Sequence, residues 1–201
     1  MASYKLLFTD PMKYFSGISK MSYSDTLGLI FRILFIPYLL YFILSFGFDL
    51  GFSNLVIASA VLFALFTVLA APFINAAVTH LGVLLFKKKG YKKTFLASSH
   101  AILAFAPYAL VFVALALPSL FSQGIGVEIL LILGYLVVFA GAIHILVLEI
   151  IGLKKLHKLS TGKAVVCALV IPLLISMVIA FLIGIMLVVI AVIAYSAVPA
   201  F

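Results

Sequence analysis

The fold of this protein is decided by apolar stretches such as Lys163 to Tyr195, which reads KAVVCALVIPLLISMVIAFLIGIMLVVIAVIAY. No charged side chain follows Lys163 in this stretch, and its roughly 33 residues would form a helix about 50 Å long. A helix needs only about 20 apolar residues to cross the ~30 Å hydrocarbon core of a bilayer. The stretch therefore predicts a membrane-spanning helix.

Four further apolar stretches precede it, at about residues 27–46, 54–86, 94–117 and 127–153. Of the 201 residues 67% are hydrophobic and 9% are charged, whereas about a quarter of the residues of a soluble domain are charged. Such a chain has too little polar surface to cover a soluble core. We therefore predict an all-α integral membrane protein in which residues 27–201 form a bundle of five transmembrane helices, the last at about 163–195.

Residues 1–26 are predicted to be a cytoplasmic or interfacial segment that contains a short amphipathic helix. Asp10 is placed to cap this helix, and Pro11 suits its first position. Its apolar residues recur every three positions: Met12, Phe15, Ile18 and Met21. This pattern is typical of a helix that lies in the membrane interface. A disordered tail is the alternative, because a glycine and three serines weaken the helix.

Two glycine-containing sites predict where the spans end. Gly47, Asp49 and Gly51 predict a short external turn after the first span. Gly90 follows three lysines and predicts a left-handed cap at the end of the second span.

The net charge of +8 is concentrated beside the apolar stretches. The loops after the second and fourth spans contain nine of the 13 basic residues, whereas the loops after the first and third contain none. The basic residues of the two loops are Lys87, Lys88, Lys89, Lys92, Lys93, Lys154, Lys155, Lys158 and Lys163. Because cytoplasmic loops carry excess lysine and arginine, the N-terminus is predicted to be cytoplasmic and the C-terminus external.

These basic loops predict anionic lipid headgroups of the cytoplasmic leaflet as partners, since each lysine near such a surface contributes about 1 kcal/mol. We therefore expect a multi-pass protein located in the cell membrane. A nucleic-acid surface is the alternative for a basic chain, but Arg32 is the only arginine and the loops lack aromatic platforms. No nucleic-acid partner is expected.

Ionisable side chains inside a membrane are costly and are functional candidates by default. Five of them are predicted to lie within about 15 Å of the cytoplasmic face, counting 1.5 Å per residue. They are Arg32, His80, His100, His144 and Glu149.

Three interpretations of these side chains are open. The first is structural: charged groups reach the interface and each histidine bonds to a neighbouring helix. The second is a polar pocket for a cytoplasmic ligand, a lipid headgroup or a proton. The third is a metal site from His80, His100 and a carboxylate, which lacks the tight ligand spacing of a motif such as His-x-x-x-His. We predict no metal and no cofactor.

Prolines occur in four of the predicted spans, as Pro37, Pro72, Pro107 and Pro172. A proline inside a helix removes one hydrogen bond, and interrupted helices enclose the cavities of many transporters. The alternative is that proline is simply common in transmembrane helices.

Small residues recur at a spacing of four on the last span, as Ser176, Ala180 and Gly184, and more weakly on the third span, as Ala97 and Ala101. Small residues at this spacing allow two helices to approach closely. We predict that the stripe on the last span packs within the bundle, with a face for a second copy of the chain as the alternative.

Several short motifs resemble the Ypt-interacting-protein (YIP) family, in its prokaryotic branch. The motifs are Thr9-Asp10-Pro11 with Phe15, His80, Gly90-Tyr91 followed by Thr94-Phe95, Ala106-Pro107-Tyr108, and Gly152-Leu153 through His157-Lys158-Leu159-Ser160 to Lys163-Ala164. They occur in order over most of the chain. The resemblance implies five transmembrane helices and a cytoplasmic N-terminus.

Eukaryotic members of that family are associated with Rab-type GTPases. This chain has lysines after Gly90-Tyr91 where they have a serine-containing motif, so Rab binding is not carried over. Enzyme motifs are absent from the sequence. We predict a non-enzymatic protein that binds protein partners or lipids at the cytoplasmic face, with a small transporter or channel around an inner-leaflet cavity as the alternative.

Overall fold

The computed structural model describes residues 4–50, 53–121 and 124–196, and the side chains of residues 4–47, 53–121 and 124–190. All regular secondary structure in these residues is helical, as the composition predicts. The helices are α1 (Lys5–Thr9), α2 (Pro11–Gly17), α3 (Tyr23–Leu50), α4 (Asn54–Leu69), α5 (Ala71–Leu85), α6 (Tyr91–Ile102), α7 (Phe105–Ala116), α8 (Ile125–His157), α9 (Thr161–Val165) and α10 (Ile171–Ser196). A 3₁₀ turn at Leu117–Leu120 follows α7, and a π-helical turn at Val166–Val170 joins α9 to α10.

Four helical segments are long and apolar enough to cross a membrane: Tyr23–Gly47, Tyr91–Leu120, Ile125–His157 and Thr161–Ile190. Helices α4 and α5 meet at an angle of 44° and form a fifth candidate if the bent pair crosses as one span. The prediction of a multi-pass, all-α membrane protein is therefore confirmed.

Three of the four prolines stand in the first turn of a helix. Pro72 is the second residue of α5, Pro107 the third of α7 and Pro172 the second of α10. The first-turn amides of a helix have no carbonyl partner within it, so Pro72 removes no hydrogen bond from α5 and Pro107 removes none from α7. Pro172 lies inside a longer helical segment, Thr161–Ile190, just after the π-helical turn. Pro37 differs, because it lies inside α3, which continues without a break to Leu50.

The turn predicted at Gly47 and Asp49 is wrong, because α3 continues through both residues to Leu50. Gly51 lies outside the described residues. A helix that remains in an apolar medium keeps its backbone hydrogen bonds, and this outweighs the weak helix propensity of one glycine.

The cap predicted at Gly90 is also wrong in position. Helix α5 ends at Leu85, and the left-handed residue that follows it is Lys87, with φ of 55°. The amide of Lys88 bonds to the carbonyl of Val83, which satisfies the last turn. Gly90 has a φ of +100°, but it stands immediately before α6 and turns the chain into that helix.

Helix α8 is the central element of the core, because α2, α6 and α7 all pack against it. Three of its glycines face aromatic rings at distances that leave no room for a side chain. A Cβ would lie 3.0 Å from the ring of Phe112 at Gly134, 2.8 Å from that of Tyr108 at Gly141, and 2.9 Å from that of Phe15 at Gly152. Ala97 of α6 also contacts Gly152, so the weaker small-residue stripe is buried.

In the N-terminal segment, helix α2 begins with the cap that the sequence predicts. The carboxylate of Asp10 accepts a hydrogen bond from the amide of Lys13 at 3.0 Å. Helix α2 then packs against α8, with Phe15 and Ile18 buried while Met12 remains 39% exposed. The apolar face therefore docks on the bundle, and does not lie free for lipid.

Helix α10 leaves the bundle. Of the described elements, it packs mainly against α5 and the π-helical turn. Ser176, Ala180 and Gly184 are exposed, and nothing lies within 4 Å of a Cβ built on Gly184. The predicted packing of this stripe within the bundle is wrong. Small-residue spacing shows that close approach is sterically possible, but it does not specify a partner.

We predict that Gly82→Ala destabilises the protein. A Cβ at Gly82 would lie 2.8 Å from the Cα of Cys167, which is backbone and cannot rotate away. Overpacking of this kind costs about 1–3 kcal/mol, and thermal unfolding of the purified protein measures it. The matched control is Gly28→Ala in α3, where nothing lies within 4 Å of the added Cβ. An equal loss of stability in both variants would show that the contact is not responsible.

Candidate functional site

Buried polar side chains gather where α5, α6 and α8 meet. The first group, the Glu149 cluster, consists of Asn75 and Thr79 on α5, Ser98 on α6 and Glu149 on α8. Residues 75 and 79 are four apart on α5, so both side chains lie on the face toward α8. The Glu149 side chain is only 5% exposed, and Thr79 and Ser98 are fully buried.

Among the described side chains, the Glu149 carboxylate accepts hydrogen bonds only from neutral donors. The Thr79 hydroxyl donates to Oε1 at 3.0 Å, and the Ser98 hydroxyl donates to the same oxygen. The Asn75 amide donates weakly to Oε1 and Oε2 at 3.4 and 3.5 Å. No salt bridge to Glu149 occurs among the described side chains, so its charge has no protein counter-ion there.

A second group, the histidine bridge, lies nearer the lysine loops. The buried hydroxyl of Thr94 is 2.8 Å from Nδ1 of His80 and 2.9 Å from Nε2 of His157. Since threonine has one hydroxyl proton, it donates to at most one imidazole, and the other must donate its N–H to the threonine oxygen. Tyr91 packs edge-on against His80, and its hydroxyl donates to the carbonyl of Phe73 at 2.8 Å. The bridge thus joins α5, α6 and the end of α8.

His100 belongs to neither group, because its side chain holds the N-terminal segment. Its Nδ1 is 2.7 Å from the hydroxyl of Tyr14, and its Nε2 is 3.4 Å from the hydroxyl of Thr26. Burial raises the pKa of Tyr14 above its usual value, so this hydroxyl stays neutral. Tyr4, immediately before α1, donates a hydrogen bond from its hydroxyl to the carbonyl of Leu103 at 2.8 Å.

His144 lies on another face of α8. Its Nδ1 is 2.9 Å from the hydroxyl of Tyr108, and its ring packs edge-on against Phe8. Phe8 and Tyr108 also line an open apolar cavity of about 640 Å³ between α1, α3 and α7. The full lining is Tyr4, Phe8, Ile33, Pro37, Ala106, Pro107, Tyr108 and Leu110.

The structure does not bring Arg32 to these groups. Arg32 is exposed on α3, whereas Ile30 and Leu34, two residues away on either side, are buried. Positions two apart on a helix lie on nearly opposite faces. His80 and His100 are likewise separated, and no three His, Cys, Asp or Glu side chains in the described ranges are grouped as metal ligands.

The two lysine loops meet at one end of the bundle. The ammonium of Lys163 lies 5.5 Å from the ring centre of Phe86, next to the first loop, and the histidine bridge connects the same two regions. All nine lysines of the two loops are exposed. We call this the lysine surface; it comprises Lys87, Lys88, Lys89, Lys92, Lys93, Lys154, Lys155, Lys158 and Lys163.

The model of one protein family, the Yip1 domain, matches residues 5–184 of this chain. The chain belongs to the Yip1 domain family. The match covers the Glu149 cluster, the histidine bridge and the lysine surface. Neither the curated proteins nor the solved structures that were compared with the chain gave a match.

The residues that carry the family resemblance hold together the end of the Yip1 domain where the lysine surface lies. Asp10 and Pro11 begin α2, and Gly152 receives the Phe15 ring of that helix. Gly90 turns the chain into α6, where Tyr91 and Thr94 bond across to α5 and α8. Pro107 lies in the first turn of α7 and lines the cavity. These contacts explain the motif residues as helix junctions.

Sequence reasoning missed the neutral partners of the ionisable residues. Asn75 and Thr79 are spaced by four, and so are Thr94 and Ser98, so each pair lies on one face of an otherwise apolar helix. That spacing is the signal that a search for charged residues overlooks. Tyr14 carries no such signal, because its partner His100 is far away in the sequence.

We predict that Tyr14→Phe loosens the N-terminal segment. The variant removes the hydroxyl that bonds to buried His100, which costs about 1 kcal/mol and raises the open population about fivefold. Limited trypsin digestion at exposed Lys20, between α2 and α3, measures the opening.

Ser16→Ala is the control for this experiment. Its exposed hydroxyl bonds only to a carbonyl of the same helix, so cleavage at Lys20 should be unchanged. Equal cleavage rates for Tyr14→Phe and the original protein would contradict the docking role of the Tyr14–His100 bond.

Proposed function

We propose that this Yip1-domain protein is a non-enzymatic protein of the cell membrane that binds anionic lipids, and through them organises protein partners, at the cytoplasmic face. The observation that carries the proposal is the lysine surface. Two loops more than sixty residues apart in sequence are held side by side there, and their nine lysines are exposed.

The charge of this surface is not neutralised by its own loops. Residues 87–93 and 154–163 contain no aspartate or glutamate. Short loops between membrane helices stay close to the headgroups, where the negative surface potential acts over about one Debye length, roughly 10 Å. Exposed ammonium groups fixed at this depth favour phosphate-bearing lipids, and the same surface can present lipids to a partner.

The histidine bridge and the N-terminal segment support the lysine surface structurally. The bridge fixes α6 against α5 and α8 directly behind the first lysine loop, with Thr94 one residue after Lys93. Helix α2 covers Gly152, two residues before Lys154. The lysines therefore project from a packed base, which reduces the ordering cost of binding a headgroup.

The first test is the topology on which this proposal rests. In a Cys167→Ala background, we expect single cysteines at Lys89 and Gly126 to label differently with a membrane-impermeant maleimide. Labelling at 126 should occur in intact cells, and labelling at 89 only after permeabilisation. The reverse pattern would place the lysine surface outside and remove the proposal.

The second test changes the charge of the surface. With Lys87, Lys88, Lys89, Lys92 and Lys93 all replaced by Gln, we expect retention of phosphatidylglycerol by the purified protein to fall at least about tenfold, because each lysine contributes about 1 kcal/mol. Native mass spectrometry counts the bound lipids, with phosphatidylcholine as the neutral reference.

A variant with the same five lysines replaced by Arg is the control. It preserves the charge, so it should retain phosphatidylglycerol, and binding should weaken as salt rises. Equal retention by the Gln and Arg variants would show that the charge of these loops does not bind lipid.

A further inference from the structure

The Glu149 carboxylate has an unusual setting. It is 5% exposed, it lies on a helix long and apolar enough to cross a membrane, and its recorded partners are an amide and two hydroxyls. A buried carboxylate without a counter-charge is destabilising even when neutral donors form hydrogen bonds to it. A neutralising cation removes this destabilisation.

The surrounding ionisable groups do not supply that cation. On α5, the neighbouring His80 bonds to Thr94, and on α6 His100 bonds to Tyr14. On α8 itself, His144 lies five residues before Glu149 and bonds to Tyr108, and His157 is about 12 Å further along and also bonds to Thr94. Cys167 of the π-helical turn packs against Gly82. Lys88 and Lys93 lie beyond this layer, near His157.

We propose that the Glu149 cluster is a binding site for one compact monovalent cation, H⁺ or Na⁺, which neutralises the carboxylate. This site goes beyond the lipid-binding function and does not depend on it.

The ligand set determines the class of cation. The cluster offers two carboxylate oxygens, the Thr79 and Ser98 hydroxyl oxygens and, with the Asn75 amide turned over, its carbonyl oxygen. Oxygen ligands of this kind suit hard cations and not zinc or copper. A single carboxylate balances one positive charge, so a divalent ion would leave a buried excess charge.

The size of the site also excludes larger ligands. The hydroxyl oxygen of Thr79 is 3.0 Å from Oε1, and Ser98 bonds to the same oxygen, so the side chains occupy the space between the helices. An organic ammonium group would not fit there without separating α5 from α8. A proton needs no space, whereas Na⁺ requires the two hydroxyl groups to turn their protons away from Oε1 and to move slightly apart from it.

Occupation of this site would tie three helices together. Asn75 and Thr79 are on α5, just after the 44° bend, while Ser98 and Glu149 are on α6 and α8. Loss of the cation would leave an uncompensated charge between them, and would weaken the packing of α5 at this point.

The test is the Tm of the full-length protein in neutral-lipid nanodiscs. Chloride salts of Na⁺, Li⁺, K⁺ and choline are compared at constant ionic strength between pH 5 and 8. If Na⁺ is the ligand, Na⁺ should raise Tm above that in choline at pH 8 by about 5 °C or more. If H⁺ is the ligand, Tm should fall as pH rises whichever salt is present.

Two variants assign the effect to the site. Glu149→Gln mimics the neutral acid and should abolish either the Na⁺ effect or the pH effect. If H⁺ is the ligand, the Tm of Glu149→Gln should also match that of the original protein at pH 5. Glu128→Gln, on an exposed glutamate of the same helix, should leave both effects intact. Ser98→Ala should weaken the Na⁺ effect.

The proposal would be overturned if Tm responded neither to Na⁺ nor to pH, or if the responses persisted in Glu149→Gln. In those cases Glu149 is only a hydrogen-bond acceptor between helices. If Glu149→Gln fails to fold, the dependence of Tm on Na⁺ can still be tested. Thr79→Val and Ser98→Ala are then measured with the same salts and pH values. The pH arm is then read from Glu149→Asp, which moves the carboxyl away from its donors.

Discussion

The need to satisfy the polar groups of the backbone inside an apolar medium governs this structure. Water is not present in hydrocarbon to bond an exposed amide or carbonyl, so the chain is helical wherever it crosses. The same constraint places Pro72 and Pro107 in first turns, where no helical bond is lost. It also explains why buried Glu149, His100 and His157 all find partners on other helices.

The polar contacts are concentrated at the end of the bundle that carries the lysine loops. Close to this end α8 receives Phe15 at Gly152, α6 bonds through Thr94 to two histidines, and the N-terminal helices dock through Tyr14. The other surfaces differ, because most described side chains of α10 are apolar and exposed. The polar contacts between helices and the exposed apolar surface therefore lie in different parts of the bundle.

The relation between the Glu149 cluster and the lysine surface follows from their positions along the same helices. Glu149 and Lys154 lie about 7 Å apart along the axis of α8, and Ser98 and Lys93 are similarly close on α6. A change in how α5, α6 and α8 pack around Glu149 therefore acts on the base from which the lysines project. The histidine bridge lies between the two, joining the same three helices.

The sequence by itself determined the class of the protein, because 67% hydrophobic residues in long blocks with few charges leave no other way to bury apolar surface. It also determined local features such as the Asp10 cap, since a cap depends on neighbours a few residues away. Which polar residues meet was decided only by the tertiary structure. Arg32 and Glu149 look alike in a hydropathy pattern, yet one is exposed and the other is buried among hydroxyl groups. The rotation of each helix about its axis decides this difference, and that rotation is fixed by contacts between distant residues, such as Gly152 with Phe15 and Gly82 with Cys167.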